Sequence, residues 1–168
     1  MPEEEITESP TVAAQLVATL QVRGETVATA ESLTGGRLAS ALTEAPGASK
    51  SYLGGVVAYA TSIKQEVLGV PERLVEEHGV ISSECALAMA RGVVALTGAS
   101  WGISTTGVAG PDEQEGEPPG TVHVGVAGPG VSTALALELV GDRKAIQDRT
   151  CLEALSALAG MLSRPDGG

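Results

Sequence analysis

The chain is nearly devoid of aromatic side chains. Phe is absent, Trp occurs once and Tyr twice, so aromatics make up 2% of 168 residues. This removes the stacking platforms on which proteins bind single-stranded nucleic acid, and it leaves the core to Ala, Val, Leu and Ile. Cations are scarce too, with 10 Lys and Arg against 21 Asp and Glu, a formal charge of −11. Such a balance opposes a broad grip on DNA or RNA, because phosphate neutralisation needs Lys and Arg. Cys85 and Cys151 are the only cysteines and neither has a C-x-x-C partner. A disulfide framework is excluded and a reducing, cytoplasmic setting is expected. No apolar run approaches membrane-spanning length, and the acidic "PEEEITE" is unlike a signal peptide, so no membrane association is expected. No His, Cys, Asp or Glu cluster has metal-ligand spacing, so no metal is expected.

What is present is a chain punctuated by 22 glycines, with a hydrophobic content of 43%. Residues 1–8 read as a disordered acidic tail and 9–168 as one domain. Ser9 and Pro10 open a helix with Val12, Leu16, Val17 and Leu20 along its apolar stripe, stopped at Gly24. Strands follow at Thr26–Ala30 and Tyr52–Ala60, separated by a helix from about Gly35 to Pro46. The pair Gly54-Gly55 suggests a bulge or a close backbone approach. Thr61 caps a short helix carrying Lys64, Pro71 starts another, and Ser82 or Ser83 caps a longer one. That third helix turns Ala86, Leu87, Ala90, Val93, Val94 and Leu96 inward. A third strand spans Trp101–Gly107. Two more are joined at Pro129-Gly130, and a last helix runs from about Asp142 to Ser163 with Ile146, Leu152, Leu155, Leu158, Met161 and Leu162 inward. The order predicts a single three-layer α/β/α domain with a mixed, mostly parallel sheet of about five strands, one member antiparallel.

In such sheets, sites gather where strands end and helices begin. Three ends carry polar groups: Glu31-Ser32, Tyr59 to Lys64, and Thr105-Thr106-Gly107. Ser32 reads either as a turn serine bonded to backbone or as a nucleophile, with Gly35 and Gly36 giving a ligand room beside it. A nucleophile needs a base. His78 sits at a helix end and His123 in mid-strand, which suits capping and packing better than a triad. Of Lys50, Lys64 and Lys144, Lys64 alone is close to a strand end. It reads as a solvent-facing helix residue or, if held dry, as a base with a lowered pKa. Cys85 reads as a small core residue or a thiol activated at a helix start. Arg143, Arg149 and Arg37 are the phosphate candidates, each also readable as a solvated surface charge.

The segments "TAESLTGG", "GASKSYLGGVVAY", "LGVPERLVEEHGVIS", "TTGVAGP", "PGTVHVGVAG" and "GDRKAI" occur in this order. Together they resemble the CinA-like family, the C-terminal domain of competence-damage-inducible proteins and its stand-alone form. The resemblance covers nearly the whole chain after residue 9. It implies hydrolysis of nicotinamide mononucleotide to nicotinate mononucleotide and ammonia, without a cofactor, by a homo-oligomer, expected to be a dimer. Carried across, Ser32 is the nucleophile, Lys64 its base and Tyr59 a neighbouring group, while Thr106 and Gly107 line the amide site. Thr34, Gly35 and Gly36 would offer N–H groups. Glu31 and Gly110 complete the binding set, and Arg143 and Arg149 face the phosphate.

The chain departs from the family pattern in three places. Tyr59-Ala60-Thr61 stands for Y-S-N, Gly110-Pro111-Asp112-Glu113-Gln114 for G-P-x-G-G, and Ile146-Gln147-Asp148-Arg149 for I-R-x-R. These changes bear on substrate affinity and identity. They leave two alternatives beside the deamidase: a catalytically weak binding or scaffold protein, and a Ser-Lys amidase for another small amide.

Overall fold

The computed structural model describes residues 11–164. Ser9-Pro10 and the acidic tail lie outside them. Helix α1 (Val12–Arg23) is instead capped by Thr11, whose hydroxyl accepts from the Ala14 N–H, and Gly24 closes it in the left-handed conformation. The elements that follow are β1 (Val27–Glu31), α2 (Arg37–Glu44), a 3-10 turn at Ala48–Lys50, β2 (Tyr52–Val57), α3 (Thr61–Glu66), α4 (Glu72–His78) and α5 (Ser83–Thr97). Strands β3 (Trp101–Gly107), β4 (Thr121–Gly128) and β5 (Val131–Glu138) precede α6 (Arg143–Leu162).

The five strands lie in the order β2-β1-β3-β4-β5. β1 pairs parallel with both β2 and β3, while β4 pairs antiparallel with β3 and β5. The chain is thus a mixed sheet between two helical layers, with β4 the one reversed strand. One face packs Val27, Ile103, Val122, Val124 and Val126 against α1, α2 and α6. The other packs Ala28 and Ala30 against Leu68, Cys85, Met89 and Val93. β1 is buried along its whole length because both faces are covered.

The Gly54-Gly55 expectation holds in both of its forms. β2 carries one extra residue opposite Val27/Ala28, a bulge, and a Cβ on Gly55 would run into the Thr29 side chain and carbonyl. Gly125 admits another close approach, because a Cβ there would meet the Ala86 carbonyl of α5.

Four expectations differ from the fold. β2 ends at Val57 rather than Ala60, because the carbonyls of Ala58 and Tyr59 turn out of the ladder to face Lys64 Nζ. Thr61 is not a cap: α3 follows Ala60 and has no side-chain cap. Leu96 and Leu152 are 55% and 40% exposed, since each helix meets the sheet on a narrower face than its apolar pattern covers.

The topology creates one special place. From β1 the chain goes through α2 to β2 on one side, while β3, reached through α3–α5, lies on the other. The crevice between the C-terminal ends of β1 and β3 is the switch point where open α/β sheets bind ligands. Ser32 follows β1 there, and Thr106 stands one residue before the end of β3.

Candidate active site

Ser32 sits in a turn braced on every side. Its N–H donates to the Thr105 carbonyl at 3.0 Å and its carbonyl accepts from Gly35 N–H at 3.1 Å. The Leu33 carbonyl accepts from Gln147 Nε2 of α6 at 2.9 Å. Glu31, just before the turn, is buried. Its carboxylate accepts from the N–H groups of Leu38 and Ala39 at 2.8 and 3.1 Å and from Thr34 Oγ1 at 2.6 Å. The helix start lacks a cap of its own, since Gly36 has no side chain to offer, and the Glu31 carboxylate does that work. Thr34 Oγ1 also lies 2.8 Å from Thr105 Oγ1, which ties the turn to β3.

Lys64 comes to the same place from α3. Its side chain is only 2% exposed, and Nζ lies 3.0 Å from Ser32 Oγ, 2.8 Å from the Ala58 carbonyl and 3.3 Å from the Tyr59 carbonyl. These three contacts suit either protonation state. The ammonium donates to all three oxygens; the free amine donates to the two carbonyls and turns its lone pair to the Ser32 hydroxyl. Burial pushes the Lys64 pKa below the usual lysine value, against opposing fields from Cys85 and Glu115. A dry amine beside a hydroxyl is an arrangement for abstracting a proton.

Ser32 and Lys64 open onto a cavity of about 370 Å³ whose wall also includes Leu33, Tyr59, Thr61, Val80, Ile81, Thr106 to Gln114 and Arg143. All three strand ends singled out in the sequence meet here. Thr106 Oγ1 donates to the Val80 carbonyl at 2.6 Å, so it shapes the wall rather than standing free. Tyr59 contributes differently from expectation. Its carbonyl faces Lys64, while its ring is 64% exposed and its hydroxyl accepts from Arg143 at 3.2 Å. Arg143 also donates to the Gly110 carbonyl at 2.7 Å, spanning the mouth of the cavity.

Several expected binding residues lie off this wall. Glu31 and Thr34 are turned to α2 and β3, where their oxygens are occupied as described. Gly35 and Gly36 form the turn behind Ser32, and the Gly35 N–H is already bonded. In this turn the N–H groups of Leu33, Thr34 and Gly36 meet no acceptor among the described residues, and Leu33 is the one on the wall. Arg149 is not brought to the site. Six residues past Arg143, it emerges on another side of α6 and pairs with Glu153 at 2.8 Å. Gln147, where the family pattern has Arg, is buried and holds Leu33. Position 147 therefore supports the Ser32 turn and is not part of the cavity wall.

The other nucleophile and base candidates fall away. Burial pushes the Cys85 thiol up to about 11 and the Cys151 thiol up to about 12, so both are neutral core groups. His123 Nδ1 lies 3.1 Å from Ser83 Oγ, and burial lowers its pKa. His78 lies 3.7 Å from Glu84. Neither imidazole is on the cavity wall.

Two residues escaped the sequence reading. Gln147 had a signal, being a polar side chain at the helical spacing of the buried Cys151, Ala154 and Leu158. Glu115 had none. Its carboxylate accepts from Val80 N–H at 2.9 Å and Ile81 N–H at 3.0 Å, across 35 and 34 residues, and nothing local to it foretells that reach.

The chain is 48% identical over 141 residues to a CinA-like protein of Frankia casuarinae, covering 84% of this chain and 33% of that one. It is 47% identical over 144 residues to a CinA-like protein of Anaeromyxobacter sp. strain K, covering 85% and 35%. The chain thus spans about a third of the length of these curated relatives. Among solved structures, a CinA superfamily protein of Klebsiella pneumoniae superposes with a TM-score of 0.88 at 32% identity, covering 90% of this chain and 96% of that one. A CinA superfamily protein of Enterobacter cloacae gives 0.89 at 28% identity, covering 97% and 99%. Residues 9–162 match the CinA C-terminal domain, and with this fold and these relatives the chain belongs to that family.

Proposed function

We propose that this chain hydrolyses the carboxamide of nicotinamide mononucleotide, with Ser32 as nucleophile and Lys64 as its base. The observation that carries the reading is the 3.0 Å approach of Ser32 Oγ to a buried Lys64 Nζ at the wall of a cavity. The free amine of Lys64 takes the hydroxyl proton as Oγ bonds to the carboxamide carbon. The oxyanion that forms faces the N–H of Leu33. Collapse breaks the C–N bond, Lys64 returns its proton to the leaving nitrogen, and ammonia departs from a serine ester. Water then attacks the ester, Lys64 again holds the proton in transit, and nicotinate mononucleotide leaves as Ser32 Oγ is reprotonated. The two backbone carbonyls at Ala58 and Tyr59 keep the amine aimed in both half-reactions.

The braced turn supports this reading, because a nucleophile held before the substrate arrives needs little reorganisation. The cavity volume fits a mononucleotide-sized ligand. The enzyme is proposed to act without a cofactor, in the cytoplasm, as a homodimer; free, buried cysteines and exposed Leu53 and Val57 on the edge strand β2 accord with the last two. Among the described residues no helix is long and apolar enough to cross a membrane.

Ammonia release from nicotinamide mononucleotide tests the activity. The wild type is expected to turn over, and Ser32→Ala and Lys64→Ala to lose at least about a hundredfold in kcat. Release that persists in both variants removes the dyad, and none in the wild type removes the function.

A further inference from the structure

The cavity wall carries an unusual balance of charge. Asp112 and Glu113 line it from the segment between β3 and β4, with Gln114 beside them. Arg143, the one guanidinium on the wall, is bonded to the root of this same segment at Gly110. Two of its nitrogens already serve the Gly110 carbonyl and the Tyr59 hydroxyl. Lys64 is turned inward to Ser32, and burial disfavours its charge.

The acidic segment is fixed where it stands. Glu115 reaches across to the connection between α4 and α5, where its two carboxylate oxygens accept from Val80 N–H and Ile81 N–H at 2.9 to 3.2 Å. Its own backbone, φ +53, forms with Gly116 the tight two-residue turn that pairs Gln114 with Glu117. Val80 and Ile81 are themselves on the wall. The Glu115 clamp therefore ties both sides of the cavity together and holds Asp112 and Glu113 against it.

A phosphomonoester brings a charge of about −1.5 to −2 at neutral pH into this surround, whereas the pyridinium ring of the same molecule is a cation. Carboxylates on the wall attract the second and repel the first. We infer that the segment Asp112–Glu115 is a specificity determinant, and that this enzyme accepts the unphosphorylated N-ribosylated pyridinium carboxamide at least as well as its phosphate ester. The inference rests on the amidohydrolase reading above and adds the substrate class to it.

The test compares nicotinamide mononucleotide with nicotinamide riboside, following ammonia, in the wild type and in the double variant Asp112→Asn/Glu113→Gln. The quantity read is the ratio of kcat/KM for the nucleotide to that for the nucleoside, which cancels any loss of folded protein. In the wild type the ratio is expected at or below one at low ionic strength, and to rise with salt. In the double variant it is expected to rise roughly tenfold, the scale of two carboxylates acting on a dianion through partly screened solvent. A wild-type ratio clearly above one, or a ratio that neither salt nor the double variant moves, overturns the inference and leaves the deamidase intact. Ammonia from neither substrate overturns the amidohydrolase reading and this inference with it.

Discussion

At the scale of single residues, the proposed chemistry turns on one amine. In the proposed mechanism Lys64 acts as a base only when unprotonated, so activity is expected to climb as pH rises through its pKa. Burial lowers that pKa, and the climb is expected below the range of an ordinary lysine. A profile of log kcat/KM against pH locates it; a rise placed at ordinary lysine values would show the amine to be solvated. Stability follows in the same direction. With the folded-state pKa depressed, the unfolded chain binds the extra proton between the two values, so the folded state gains stability as pH rises across that window. The sequence made Ser32 and Lys64 candidates, but it could not bring them together. Their contact spans 32 residues and depends on β2 lying beside β1, which a single chain read in one dimension leaves open. The same limit hid the Glu115 clamp and misplaced Arg149, whose direction is set by the rotation of α6 and not by its neighbours in sequence.

At the scale of elements, α2 depends on a carboxylate that precedes it. Glu31 stands at the end of β1 yet satisfies the first N–H groups of the helix, linking strand, turn and helix in one group. Glu31→Ala is expected to lower stability by about 1–3 kcal/mol, from buried donors left unsatisfied, and to reduce kcat by loosening Ser32. Urea unfolding and steady-state kinetics together check both halves. Helix α5 shows a second dependence. It packs so closely on β4 that Gly125 cannot take a side chain, and Ser104 Oγ bridges the Ala86 carbonyl and the Gly125 N–H at 2.5 and 3.1 Å. Gly125→Ala is expected to cost about 1–3 kcal/mol in the same unfolding assay. Elements bounded by local punctuation were legible from sequence: β3 runs from Trp101 to Gly107 as expected. The end of β2 and the exposed sides of α5 and α6 were not, because the inward turn of Lys64 and the width of the sheet decide them.

At the scale of the whole molecule, charge and topology act together. A net charge of −11 repels itself in the compact state, with few cations to offset it. Raising NaCl from about 20 to 300 mM is expected to raise the melting temperature by a few degrees, since the Debye length shortens past the spacing of surface charges. Differential scanning calorimetry checks this, and an unchanged or falling Tm would mean that paired charges dominate. The sheet order β2-β1-β3-β4-β5 was legible in its class, three layers with one reversed strand, because strands alternate with helices early and form a hairpin late.

The link from Gln147 to Leu33 joins residues 114 positions apart, from the last helix to the first strand-end turn. During synthesis, Ser32 and Lys64 leave the ribosome long before the amide that steadies their turn. Such a nascent chain already carries both side chains without their brace. On the proposed reading, competence would then arrive late in translation, as α6 docks, and a message cut short before it would yield a protein with the Ser32–Lys64 pair and no aim.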